Sequence, residues 1–173
     1  ADKAEDAIDL EQRVDWTAIA AHLAKASGFN AAAPAPADER WQIADDLGRA
    51  GLRGESAAVA LSMVADAEGD VARLYHITRR LHDGGRADLS ARAAVSLLRA
   101  MGAGAREAPL DLYRVAYPAP YARPVEDAAR EQGVSPLLLL ALVRQESFYD
   151  PQAGSSAGAL GLTQVIEPTG IAI

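Results

Sequence analysis

Residues 135–147 read Ser135-Pro-Leu-Leu-Leu-Leu-Ala-Leu-Val-Arg-Gln-Glu146-Ser147, and the fold of the surrounding segment turns on this stretch. Serine is a strong helix N-cap and proline suits the first helical position, so a helix is expected to start at Pro136 and run to about Ser147. Leucines at 137, 138, 139, 140 and 142 leave the first two turns without a polar face, which predicts a helix buried on every side. Burying each such leucine contributes about 1.5–3 kcal/mol, enough for one helix to anchor a small domain. Glu146 follows one turn beyond the apolar run. Its carboxylate is expected at the rim of a cleft, where partial desolvation and the negative end of the helix dipole both favour the protonated form that a general acid needs. A glutamate at a helix end is also commonly a solvated surface group, and the helix alone does not decide between the two.

The flanking residues do decide. Phe148-Tyr-Asp-Pro151 stops the helix, and Gly154-Ser-Ser-Ala-Gly-Ala-Leu-Gly-Leu-Thr-Gln-Val165 is a run of small residues that carries one amide side chain. The ordered set Tyr117-Pro-Ala-Pro-Tyr121, Gly133-Val-Ser-Pro-Leu-Leu, Arg144-Gln-Glu-Ser147, Phe148-x-Asp-Pro151, Ser155-x-x-Gly158, Gly161-Leu-Thr-Gln164 and Pro168-x-Gly170 closely resembles the catalytic domain of the soluble lytic murein transglycosylases. Isolated, a Glu-Ser pair means nothing; several spaced blocks in one short segment are specific.

The resemblance implies a goose-type lysozyme-like α fold that cleaves the β-1,4 bond between N-acetylmuramic acid and N-acetylglucosamine in peptidoglycan, leaving a 1,6-anhydro ring and consuming no water. It also implies that Glu146 acts alone, first as acid and then as base, where most glycosidases use two carboxylates. Asp150, the nearby second acid, sits in Asp-Pro and reads as a turn residue. Matched motif by motif, Ser147 follows the catalytic glutamate, Ser155 falls where the family places a hydroxyl bonded to it, and Gln164 where it places a sugar-binding amide. Thr163 and Ile166-Glu167 depart from the commonest family residues and bear on subsite shape, so Ile166 joins the expected substrate contacts. The family's later Asn-x-x-x-Gly and Tyr-Asn blocks have no counterpart before Ile173. Only part of the catalytic domain is therefore expected in this chain, with weak or no activity; either a partner chain covers the surfaces left open or the lobe is loosely ordered after Gln164.

Before this segment the composition predicts helix packed on helix: hydrophobic residues make up 50% and aromatic residues 5%, with abundant alanine. Asp15 is positioned to cap a helix bearing Trp16, Ile19, Ala20 and Leu23 on one face, ended by Ser27-Gly28, and residues 29–37 with two prolines read as a loop. An internal repeat follows at an offset of 34 residues, pairing Trp41 with Tyr75, Ile43 with Ile77, Leu47 with Leu81, Gly51 with Gly85, Ala60 with Ala94 and Val64 with Leu98. That period is the one of tetratricopeptide helix pairs. Two hairpins are expected, 38–50 with 55–66 and 70–83 with 88–101, burying Leu47, Leu61, Leu81 and Leu98. The fold class is then all-α: a tetratricopeptide-like solenoid over 1–108, with 102–109 as a link, and a partial lysozyme-like lobe over 109–173. The acid-rich stretch 1–15 reads as a solvated lead-in.

Several function classes fall away. A net charge of −7 without a basic stripe opposes nucleic-acid binding. The absence of cysteine excludes disulfides and thiolate metal sites. His22, His76 and His82 form no metal pattern, and no metal or cofactor is expected. The longest apolar run, 136–143, is too short to cross a bilayer, and no signal peptide opens the chain; export to the periplasm or cell envelope is expected from the resemblance alone. Two rival functions stand beside the lyase: a helical-repeat module binding peptide or cell wall, and a hydrolytic muramidase of the same fold.

Overall fold

The computed structural model describes residues 13–172, and among these every regular element is a helix. The lead-in 1–12 and Ile173 lie outside the described residues. Two compact units divide the rest, 13–118 and 119–172.

In the first unit, α1 (Trp16–Ser27) starts as its sequence requires. The carboxylate of Asp15 accepts hydrogen bonds from the N–H groups of Thr17 at 2.9 Å and Ala18 at 3.1 Å, and Gly28 ends the helix at φ 72°. Ile19 and Leu23 are fully buried. Two helical hairpins follow, α2 (Arg40–Arg49) with α3 (Arg53–Asp66), and α4 (Val71–Asp83) with α5 (Ala87–Ala100).

The turns of the two hairpins are alike in the backbone. Gly51 and Gly85 both take left-handed φ, 80° and 69°. In the first turn Leu52 N–H bonds to Leu47 O at 2.9 Å, and in the second Arg86 N–H bonds to Leu81 O at 2.9 Å. Each turn thus closes the same way, with the six-to-one bond of a Schellman cap. Burial is less symmetric: Leu81 is buried, whereas Leu47, Leu61 and Leu98 are half-buried. Leu61 of the first hairpin and Leu98 of the second pack at the margin of the core and not within it.

That core joins Ile19, Leu23, Met63, Leu74, Tyr75 and Leu97 around an aromatic cluster in which Tyr75 meets Phe29 at 4.8 Å and Trp16 at 5.8 Å between ring centroids. His82 packs its ring on Trp16 and His76 packs on Phe29 and Tyr75, so two of the three histidines are parts of this cluster. His22 shares a hydrogen bond with Gly104 O. The stretch expected to be a link instead forms a short 3-10 helix, Gly102–Glu107, and Tyr113 donates to Ala105 O at 2.8 Å. The short α6 (Leu110–Ala116) then buries Leu112, Val115 and Ala116 and packs on α5. This compact unit runs to Pro118.

The second unit holds α7 (Ala122–Gln132), α8 (Pro136–Ser147) and α9 (Glu167–Ala172). Helix α8 has the expected bounds, with Pro136 in the first turn, although the Ser135 side chain makes no capping bond. Its expected burial on every side is not found. Leu140 and Val143 are buried, but Leu137, Leu138 and Leu142 are 53%, 65% and 45% exposed. The physical reason is the number of partners: α7 packs its buried Ala122, Val125 and Ala129 against α8 from one direction, and one helix can cover only one stripe of another. After Gln164 the chain forms the short helix α9.

Candidate functional site

Helix α8 carries Glu146 at its C-terminal end, on the same face as Leu138 and Leu142, which precede it by eight and four residues. This is the open face of the helix, and Glu146 is exposed, not recessed as the sequence suggested. Its neighbour Ser147 points the other way. It is buried, and its hydroxyl donates to Val143 O at 3.0 Å, a bond back to the preceding turn.

Helix α8 stops in an unusual corner. Phe148 and Tyr149 have φ of 54° and 68°, two successive left-handed residues with bulky side chains where a single glycine would suffice. Each such residue costs about 1–2 kcal/mol in backbone energy, and surrounding contacts must offset that. Tyr149 is only 4% exposed. The hydroxyl of Tyr121 donates to its carbonyl oxygen at 3.4 Å, and the Arg144 guanidinium lies over the Phe148 ring at 4.6 Å. Asp150 then accepts from Gln152 N–H at 2.9 Å, the turn role its Asp-Pro context predicts.

The loop beyond is held by its own polar side chains. Residues 154 and 160, and 160 and 165, form isolated antiparallel bridges, and Gly161 N–H bonds to Ala153 O at 2.8 Å. The Ser155 hydroxyl accepts from Ala157 N–H at 3.2 Å and Ala159 N–H at 3.1 Å. Gln164, itself at φ 51°, donates from its amide nitrogen to Ala153 O at 3.0 Å and Gly161 O at 2.9 Å. Both acceptors are carbonyls, so the amide orientation is fixed and Oε1 remains the side chain's acceptor. Ile166 is exposed.

Chemically, the arrangement offers one solvent-accessible carboxylate on the end of a packed helix, followed by a loop whose backbone is tied by Ser155 and Gln164. Sequence reading found these residues and missed the corner between them. The signal was present: no glycine lies between Glu146 and Pro151, so a bulky residue had to take the left-handed position that ends the helix. Among the described residues no group of three or more His, Cys, Asp or Glu is placed to hold a metal, and no helix is long and apolar enough to cross a membrane.

Neither the curated proteins nor the solved structures contain a match to this chain. Residues 123–172 match the family model of the transglycosylase SLT domain, a range that takes in α8, Glu146, the corner and the loop to Gln164. The segment built around Glu146 is thus similar to the transglycosylase SLT domain.

Proposed function

We propose that this chain is part of a peptidoglycan lytic transglycosylase, with residues 109–173 forming the N-terminal part of the catalytic domain and Glu146 as its acid and base. The observation that carries the reading is the SLT match over 123–172 with Glu146 on the open face of α8. In the reaction the protonated carboxyl gives its proton to the oxygen of the bond between N-acetylmuramic acid and N-acetylglucosamine, and that bond breaks. The carboxylate then takes the proton of the sugar's 6-hydroxyl as its oxygen closes on the anomeric carbon. Proton and leaving group balance, and water is not consumed. Ser155, Gln164 and Ile166 border the glycan, Ser155 and Gln164 through the loop they hold and Gln164 through its free Oε1, whereas Ser147, expected there from the sequence, is buried and braces the last turn of α8.

Glu146 is exposed, with no surrounding wall among the described residues to hold a sugar ring against it, so this chain by itself is weakly active or inactive. The two hairpins belong to a tetratricopeptide-like region over 1–108, supported by their equivalent turns. As in the family, the protein works in the periplasm or envelope of a bacterium.

A second reading has its own support. The first unit holds a cleft of about 650 Å³ lined by Trp41 and Asp45 of α2 and by Arg73, His76 and Arg80 of α4, a composition suited to a module that binds peptide or cell wall. Incubation of the chain with purified peptidoglycan separates the readings. Glu146-dependent anhydro-muropeptides support the lyase, reducing ends show a hydrolytic muramidase, and retention on the sacculus without products shows a binding module.

A further inference from the structure

Glu146 makes no hydrogen bond or ion pair among the described residues. No side-chain partner places the carboxylate, so its position depends on where the backbone of the last turn of α8 sets the Cα–Cβ bond from which it projects. That turn is closed by the Phe148–Tyr149 corner: Phe148 N–H bonds to Arg144 O at 3.0 Å, and Asp150 N–H bonds to Ser147 O at 3.2 Å. Among the described residues, the non-glycine positions with positive φ are Phe148, Tyr149 and Gln164, all within the segment that follows Glu146. A helix needs one left-handed residue to stop, and glycine takes that conformation at no steric cost. Two bulky residues persist there only if their side chains are held. Tyr149 is held best, by burial of its ring and by the Tyr121 hydroxyl on its carbonyl.

We propose that Tyr149 is a positioning residue for Glu146: its buried ring and left-handed backbone, with Tyr121 as a second point of attachment, lock the end of α8 and so fix the place from which the catalytic carboxylate projects. This rests on the role given to Glu146 above. Alignment is demanding in such chemistry, since a displacement of about 1 Å costs on the order of 100-fold in rate. The corner thus does for the carboxylate what a hydrogen-bond partner does in a site where the acid is clasped directly.

The test uses the full chain with carbon-13 in its glutamate carboxyls, the Glu146 signal being assigned by its loss in Glu146→Gln. Three variants are compared. Tyr149→Phe keeps the ring, Tyr149→Ala removes it, and Tyr121→Phe removes only the hydroxyl on the Tyr149 carbonyl. A single narrow Glu146 signal is expected in the native chain and in Tyr149→Phe, and a shifted or broadened one in Tyr149→Ala and Tyr121→Phe. On peptidoglycan, the same two variants should lose about tenfold or more in kcat while KM stays within about twofold. An unchanged Glu146 signal in Tyr121→Phe, with its kcat intact, overturns the proposal; if Tyr149→Ala does not fold, that variant alone decides. A native chain that releases no product bears only on the activity of this chain, and the carboxyl signal then judges the positioning.

Discussion

Gln164 donates its side-chain amide to Ala153, eleven residues back along the chain, and to Gly161, with nitrogen-to-oxygen distances of 3.0 and 2.9 Å. The residue singled out as a sugar contact thus closes the loop it sits in. Its amide nitrogen adds a second donor to two carbonyls that each already accept a backbone N–H, Ala153 O from Gly161 and Gly161 O from Gln164 itself, and so reinforces a loop whose bridges at 154, 160 and 165 are isolated.

Replacing that amide with a carboxylate sets a negative oxygen against two carbonyl oxygens. Gln164→Glu is expected to cost about 1–3 kcal/mol through two lost hydrogen bonds and the repulsion that replaces them. The loss should be local. Amide exchange at Gly161, whose N–H bonds to Ala153 O, should accelerate at least tenfold while Val134 in the α7 cap stays protected. Equal acceleration at both would show that Gln164 holds the whole unit.

The two hairpin turns give a sharper test of the repeat. A Cβ built on Gly51 or on Gly85 meets nothing within 4 Å, so a substitution there is penalised by conformation and not by contact. Gly51→Ala and Gly85→Ala should each destabilise the first unit by about 1 kcal/mol, and by nearly equal amounts, as read from urea unfolding. A large difference between them would separate the two turns that their hydrogen bonds make alike.

Those turns show what the sequence could reveal. Gly51, Gly85 and Asp15 specify local backbone conformations, and local chemistry is written residue by residue. The corner at 148–149 is local as well, and the missing glycine before Pro151 marked it. The burial of α8 was not legible, since Leu137, Leu138, Leu139 and Leu140 look alike and only the position of α7 decides which of them is covered. Gln164 was legible as a special residue and not in its partner, because a lone amide among apolar neighbours serves a sugar hydroxyl and a backbone carbonyl equally well.

Glu146→Gln separates chemistry from stability. The side chain is exposed and bonds to nothing among the described residues, so the midpoint of unfolding should stay within about 0.5 kcal/mol of the native chain. Release of anhydro-sugars from peptidoglycan should fall to background. Retained release in the variant would remove Glu146 from the reaction.

The first unit should weaken in mild acid. Burial holds the imidazoles of His76 and His82 below their ordinary value of 6.5; Arg79 adds to the effect on His76, and Asp83 opposes it on His82. Below about pH 6.5 the unfolded chain takes up these protons and the folded chain resists them. The contribution is therefore complete above that pH and declines as pH falls from 6.5 toward the lower folded values. Urea midpoints between pH 7.5 and 5 should drop for the native chain and drop less for the His76→Gln/His82→Gln variant. Parallel slopes would place the acid sensitivity elsewhere.

Helix α8 supplies the last expectation, a contrast between neighbours. Leu140 is 7% exposed and Leu138 is 65% exposed, although both belong to one leucine run. Leu140→Ala removes side-chain atoms from the contact between α7 and α8 and leaves a cavity, at a cost of about 2–5 kcal/mol. Leu138→Ala removes atoms that already face water and should change stability by no more than about 0.5 kcal/mol. The same exposure makes Leu138 and Leu142 a sticky ridge leading to Glu146, so Leu138→Ser with Leu142→Ser should raise solubility without loss of fold. Were Leu138→Ala instead to cost as much as Leu140→Ala, that ridge would be covered in solution, and a concentration dependence of the unfolding midpoint would tell whether a second copy of the chain covers it.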